Sequence, residues 1–310
     1  MDECQLSAPG PEPGQNWHHA VRAGHSRWVQ VPSSVRSTNG VTLALHDLGG
    51  QGPAVLLCHA TGFHGRAYGP FAAYLSAAYH VYALDFRGHG ASTPPDDEEF
   101  DWGGMAQDVL ACVEAIGIRP IPAIGHSMGG AAILLAELSH PGTFSEAYVY
   151  EPIVRSAAWD IPNGENPMSG AARRRREVFD SRAEVMWRYC SRAPLGELRA
   201  DCLAAYVEHG FVDLADGGVR LACRAEHEAR TFESSGLMTT ELCANITIPV
   251  VVGVGGADSG SNTGLMAPAT AAALPYGRLR SYPHLGHFGP LQDPVTVAVE
   301  VREAFGAAGA

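Results

Sequence analysis

From Pro122 to Gly130 the chain reads Pro122-Ala123-Ile124-Gly125-His126-Ser127-Met128-Gly129-Gly130, and this stretch constrains the fold more than any other. An apolar run from Ile121 to Ile124 breaks at a glycine, and paired glycines after the serine open the apolar segment Ala131 to Ala136. The pattern predicts strand, sharp turn, helix. Glycines two before and two after Ser127 leave room for a strained turn, a nucleophile elbow, that lifts the hydroxyl to where a substrate can reach it. The helix that follows would aim its N-terminus at the same spot, so the Met128 amide can donate to an oxyanion forming beside Ser127.

A strand-turn-helix unit needs a sheet to belong to, and the flanking sequence supplies one. Ala54 to Cys58, an unbroken apolar run, reads as a strand buried on both faces and ends in His59-Ala60-Thr61-Gly62-Phe63. Helix, strand and helix follow at Tyr68 to Ala77, His80 to Leu84 and Trp102 to Ile116. Such alternation predicts an α/β protein with a mostly parallel, doubly wound sheet covered by helices on both sides. Ahead of it, Trp28 to Val31 and Val41 to His46, joined through Asn39-Gly40, predict an opening hairpin.

The strand rhythm stops after Ala147 to Tyr150. Helical segments take over at Arg173 to Val178, Arg182 to Cys190, Leu195 to Glu208 and Ala222 to Phe232, which predicts an inserted helical cap over residues 153–236. The core would then comprise residues 25–152 and 237–310, resuming with Ile248 to Val254 and closing with a helix from Pro294 to Phe305. Residues 1–24, rich in Pro, Gly and Gln, read as a flexible leader.

Composition narrows the partners. A net charge of −12 with no long basic tract argues against nucleic acid or an anionic membrane surface. The N-terminus lacks the basic, apolar, small-residue order of a signal peptide and no apolar run is long enough to span a bilayer, so the expected location is the cytoplasm. Cys4, Cys58, Cys112, Cys190, Cys202, Cys223 and Cys243 are scattered without metal-ligand spacing and read as small apolar residues. Oligomeric state is not legible.

An alcohol is a poor nucleophile at neutral pH, so Ser127 needs a base within reach and the base needs a carboxylate to fix its tautomer. His287 lies in Leu285-Gly286-His287-Phe288-Gly289, just beyond the last strand. Asp258 lies in Gly255-Gly256-Ala257-Asp258-Ser259, a Gly-rich loop after the Val250 to Val254 strand. Both loops sit at strand C-terminal ends, where open parallel sheets place their sites. Glu151, at the end of the strand after the elbow, is the alternative acid; the Gly-rich turn favours Asp258.

Together these features resemble the α/β-hydrolase fold family, its serine-nucleophile branch with a helical cap, from about Arg27 to the C-terminus. The elbow, the stretch Asp85-Phe86-Arg87-Gly88-His89-Gly90-Ala91-Ser92, the late Gly286-His287-Phe288 and the order Ser, acid, His carry the resemblance. It implies Ser127 as nucleophile, His287 as general base and then acid, and Asp258 as orienter. The family's His-Gly after the third strand is here His59-Ala60, which makes the Thr61 amide the second oxyanion donor beside Met128, with Phe63 as the other option.

The expected chemistry is cleavage of a small-molecule carboxylic ester or lactone through an acyl-enzyme, which calls for no metal or organic cofactor. Serine members of the fold also cleave carbon-carbon bonds beside a ketone, make peracids or transfer acyl groups, and the fold can serve as a non-catalytic ligand receptor. His59, His89 and His126 read as loop residues bonded to backbone, and Asp85 and Arg87 as braces. Arg173 to Arg176 read as a solvated cap face, with contact to an anionic substrate as the alternative. Trp187, Tyr189, Tyr206 and Phe211 read as cap packing.

Overall fold

In this computed structural model, residues 31–156, 166–256 and 262–306 are described. The leader, the Trp28 to Gln30 part of the expected hairpin and Asp258 lie outside them.

The described residues begin with β1 (Ser34–Arg36) and β2 (Thr42–Gly50), an antiparallel pair in which Val35 faces Leu43. The turn falls where Asn39-Gly40 placed it, with φ of 57° and 70°. Across that turn the strand paired with β2 is Ser34–Arg36, with Ser34 opposite Ala44 and Arg36 opposite Thr42.

There follow β3 (Ala54–Cys58), a 3₁₀ turn (Gly65–Tyr68), α1 (Gly69–Leu75), β4 (His80–Leu84), α2 (Trp102–Ile116), β5 (Ile121–His126), α3 (Met128–Ser139) and β6 (Phe144–Tyr150). Asp101 caps α2 by accepting from the Gly104 amide at 2.8 Å, and Gly117 ends it in the left-handed region.

Within the span expected as cap come α4 (Pro167–Arg173), β7 (Val178–Phe179), α5 (Arg182–Cys190), α6 (Ala200–His209), β8 (Phe211–Asp213), β9 (Val219–Leu221) and α7 (Ala225–Glu233), and α8 (Thr240–Cys243) follows it. The chain then completes its core with β10 (Val250–Gly255), α9 (Asn262–Ala273), β11 (Gly277–Tyr282), α10 (Gly289–Gln292) and α11 (Pro294–Ala304).

Among the described residues the main sheet has eight strands in the order β1-β2-β4-β3-β5-β6-β10-β11. β2 runs antiparallel to both neighbours, and every pairing from β4 to β11 is parallel. β3 and β10 are buried at every residue, as continuous apolar runs require. One face packs on α2, α3 and α9, and the other on α1 and α11. Chain direction across the sheet reverses between β3 and β5, so the crevice at their C-terminal ends is where this architecture places a ligand. Among the described residues no helix is long and apolar enough to cross a membrane.

The insertion corrects three expectations. It is not wholly helical: β7, β9 and β8 form a small antiparallel sheet that turns Phe179, Phe211, Val219 and Leu221 inward, and Val178 belongs to it instead of to a helix. The arginine run is not simply solvated either. Arg173 pairs with Glu226 and Glu233 and Arg176 with Glu184, whereas Arg175 is drawn inward to Glu228 and the Tyr206 hydroxyl. Trp187 is 75% exposed and takes no part in packing the cap.

Candidate active site

The strand β5 delivers Ser127 with φ 55° and ψ −116°, a conformation costly for any residue with a Cβ. Surrounding bonds hold it there. The Ser127 amide donates to the Tyr150 carbonyl at 2.9 Å, and its carbonyl accepts from Ala131 in the first turn of α3 at 3.2 Å. The glycines are demanded by contact: a Cβ on Gly125 would stand 2.5 Å from the Gly130 Cα, and one on Gly129 would stand 2.2 Å from the Cys58 carbonyl oxygen. α3 is thereby pressed onto the end of β3, from which the His59 to Phe63 loop departs.

The strand next to β5, β6, is followed by Glu151, fully buried with φ 41°. Its amide donates to the Gly253 carbonyl at 2.9 Å, which ties it to β10. Oε1 accepts from the Gly255 amide at 2.9 Å, and Oε2 lies 2.7 Å from Nδ1 of His287. On the far side of the ring, Nε2 lies 3.2 Å from the Ser127 Oγ. An ionised carboxylate only accepts, so Nδ1 carries the hydrogen and Nε2 turns its lone pair to the serine hydroxyl. Ser127, Glu151 and His287 follow β5, β6 and β11 respectively, all at one sheet edge. Asp258, the acid favoured from sequence, lies outside the described residues; among those described, Glu151, the alternative, lies against the imidazole.

The loop after β3 is braced by His59. Its Nδ1 donates to the Ala60 carbonyl at 2.8 Å, and its Nε2 accepts from Phe86 at 3.0 Å. Burial, with His89 nearby, pushes this imidazole down to about 3, so it stays neutral. The amide of Phe63 turns back to the Ala60 carbonyl at 3.1 Å, whereas among the described residues the amides of Thr61 and Met128 meet no protein acceptor. Met128 opens α3, where a first-turn amide has no partner within its own helix. Thr61 and Met128 therefore retain the free donors an oxyanion needs.

Tyr206 and Arg175, read from sequence as cap packing and a solvated face, close over this loop together with Glu228, which the sequence did not single out. Tyr206 of α6 donates its hydroxyl to the Gly62 carbonyl at 3.2 Å and itself receives Nη2 of Arg175 at 2.9 Å. The ion pair of Arg175 with Glu228 lies alongside, and a Cβ on Gly62 would stand 2.5 Å from Oε1 of Glu228. Phe63 packs between Tyr206 and Phe288, with ring centroids 4.9 and 5.2 Å away.

Further out, Asp85 receives the amides of Gly65 and Ala91 at 2.7 and 2.8 Å and bonds His46 at 2.9 Å. Arg87 forms a buried two-point pair with Asp108 at 2.9 and 2.8 Å. Both are braces for loops at the site. Among the described residues no cluster of three His, Cys, Asp or Glu side chains could hold a metal ion.

With this geometry in hand, the family follows. Residues 55–301 match the alpha/beta hydrolase family, and the chain belongs to it. It is therefore an enzyme of the hydrolase class. Curated relatives match over short stretches. Protein phosphatase methylesterase 1 of Mus musculus is 38% identical over 95 residues, covering 29% of this chain and 25% of that protein. The (E)-2-((N-methylformamido)methylene)succinate hydrolase of Acinetobacter baylyi is 35% identical over 82 residues, 26% of this chain and 30% of that one. The matched stretches thus span about a quarter to a third of those relatives' own length. Among solved structures, an E-2-(acetamidomethylene)succinate hydrolase superposes with a TM-score of 0.71 at 21% identity, over 88% of this chain and 99% of that one, a likeness of fold.

Proposed function

We propose that the protein is a cytoplasmic serine hydrolase that cleaves a small-molecule carboxylic ester or lactone through an acyl-enzyme on Ser127. The observation that carries the reading is the file of hydrogen bonds from Glu151 through His287 to Ser127. In it, Nε2 of His287 takes the proton as Oγ attacks the carbonyl carbon, and returns it to the leaving alcohol as the tetrahedral intermediate collapses. Water, activated by the same nitrogen, then attacks the acyl-enzyme, releasing the acid and restoring Ser127. Amides of Met128 and Thr61 would hold the oxyanion, each such donor being worth about 3 to 4 kcal/mol. Glu151 is proposed as orienter in place of Asp258.

A serine at the elbow favours acyl chemistry over mechanisms with a carboxylate nucleophile. A second reading, hydrolysis of an amide bond in a small dicarboxylate, has one specific support: a sequence relative and a structural neighbour, found by independent comparisons, are both named as hydrolases of amidomethylene-succinates. The test is intact-mass labelling with a fluorophosphonate probe, followed by turnover of a panel of esters, lactones and amidomethylene-succinates. A single adduct on wild type, absent in Ser127→Ala, with turnover highest on esters or lactones, is the expected result. A folded wild type that takes no adduct overturns the serine mechanism, and turnover confined to the amides replaces the first reading with the second.

A further inference from the structure

The residue before the nucleophile is itself a buried imidazole with both nitrogens engaged. His126 is 2% exposed, with Nε2 2.8 Å from the backbone oxygen of His287 and Nδ1 2.7 Å from the hydroxyl of Tyr68. A carbonyl only accepts, so Nε2 is the protonated nitrogen and Nδ1 accepts from Tyr68. The Tyr68 oxygen in turn receives the amide of Ala60 at 3.2 Å. One directed chain therefore runs from the Ala60 N–H through the Tyr68 O–H and the His126 ring to the carbonyl of His287.

Each stop on that chain belongs to a different part of the site. Ala60 immediately precedes Thr61, the proposed oxyanion donor. Tyr68 ends the 3₁₀ turn ahead of α1, His126 is the last residue of β5 beside Ser127, and His287 is the proposed base. The ring is held in plane as well, against Tyr150, His287 and Phe288 at centroid distances of 5.8, 5.0 and 5.8 Å. The cavity beside it measures only about 10 Å³, at the lower limit of room for one water, so solvent has little space to take over its bonds. Burial, and then His287 nearby, pushes this imidazole down to about 3, which keeps one hydrogen on the ring and the direction of the chain fixed.

We propose that His126 is a positioning residue that sets the imidazole of His287 against Ser127 and, through Tyr68, fixes the loop bearing the Thr61 amide. It acts through its bonds to the His287 carbonyl and the Tyr68 hydroxyl. This inference rests on the assignment of Ser127 and His287 as nucleophile and base.

Its test uses three variants of the 310-residue chain: His126→Leu, which removes both bonds; His126→Gln, whose amide can still donate to the His287 carbonyl; and Tyr68→Phe, which cuts the link to Ala60. The measurements are the second-order rate of fluorophosphonate labelling, kcat and KM on the best substrate of the panel, and the thermal midpoint. A displacement of about 1 Å at a reacting group costs about 100-fold, so His126→Leu should label and turn over about 100-fold more slowly with KM within about threefold. His126→Gln should recover about tenfold of that loss, and Tyr68→Phe should lose about tenfold by loosening the oxyanion loop.

Labelling of wild type, matched in rate by a folded His126→Leu, overturns this inference and leaves the serine mechanism standing. So does a His126→Gln that melts like wild type yet is as slow as His126→Leu. If His126→Leu does not fold, His126→Gln and Tyr68→Phe decide, and wild-type rates in Tyr68→Phe overturn the coupling to the oxyanion loop. A wild type that takes no label overturns the serine mechanism and this inference with it.

Discussion

Oε2 of Glu151 lies 2.7 Å from Nδ1 of His287 while its other oxygen receives the Gly255 amide at 2.9 Å. Two donors thus converge on one buried side chain, and only a carboxylate can accept from both. In Glu151→Gln the single amide oxygen is claimed by the fixed Gly255 N–H, which turns the NH₂ group toward Nδ1. The ring must then carry its hydrogen on Nε2, where it cannot accept from Ser127. Expected is a loss of about 10³- to 10⁴-fold in kcat with the fold retained. Parallel kinetics of Glu151→Gln and Asp258→Asn check it; near wild-type kcat in the first and a large loss in the second would return the role to Asp258.

Ser127 sits at φ 55°, so the elbow stores backbone strain that does not depend on the hydroxyl. Ser127→Ala keeps a Cβ and keeps the strain, while Ser127→Gly relieves it. Relief of about 1 to 3 kcal/mol outweighs the roughly 0.5 to 1 kcal/mol that glycine's extra freedom in the unfolded chain costs. Both variants should be inactive, with the glycine form melting about 2 to 4 °C above the alanine form. Differential scanning calorimetry decides, and a glycine variant melting at or below Ser127→Ala would show that the turn is unstrained.

Glycine at 129 is a matter of contact and not of φ. Its missing Cβ would meet the backbone oxygens of Cys58 and His59 at 2.2 and 2.7 Å, neither of which can swing away as a side chain could. Gly129→Ala must therefore part α3 from β3, moving the Met128 amide away from the oxyanion loop. A loss of about 1 to 3 kcal/mol in stability and about 100-fold in labelling rate is expected. Gly69→Ala is the control, because a Cβ there has nothing within 4 Å. Equal behaviour of the two variants in urea unfolding and labelling would refute the packing argument.

What the sequence disclosed, and what it hid, follows from how far each feature depends on distant parts of the chain. β3 and β10 were readable because a strand buried on both faces must be apolar throughout, and the elbow because its serine and glycines stand in one contiguous stretch, even though Gly129 answers to the distant backbone of Cys58 and His59. Thr61 was preferred to Phe63 on alignment with the family, and the structure adds a reason, since the Phe63 amide is occupied by Ala60. The acid was harder. In the sequence Glu151 and Asp258 both follow strand segments, so spacing cannot choose between them; Glu151 lies against His287, while Asp258 lies outside the described residues. Arg175 looked like its neighbours because its partner, Glu228, lies 53 residues away on α7. β7 has two residues, too few for alternation to register.

Three buried imidazoles make stability depend on pH. His59 and His126 are pushed down to about 3 and His64 to about 4, in each case chiefly by burial. Unfolded, each would titrate near 6.5, so as pH falls below that value the unfolded chain takes up protons that the folded chain refuses. Their contribution is complete above about pH 6.5 and drains away down to about pH 3 to 4. By pH 5 each has cost about 2 kcal/mol, together about 6 against a typical total of 5 to 15 kcal/mol. Asp85 adds to the loss at still lower pH: burial alone would raise its carboxyl, but its bond to His46 holds it below the usual range, and protonation removes that contribution. Urea unfolding at pH 7.5 and pH 5 should therefore give a free energy lower by about 6 kcal/mol at the acid end, with acid unfolding complete above about pH 4. A free energy that is flat between those two pH values would mean that these rings bind protons without unfolding, and that their burial is less complete than the structure has it.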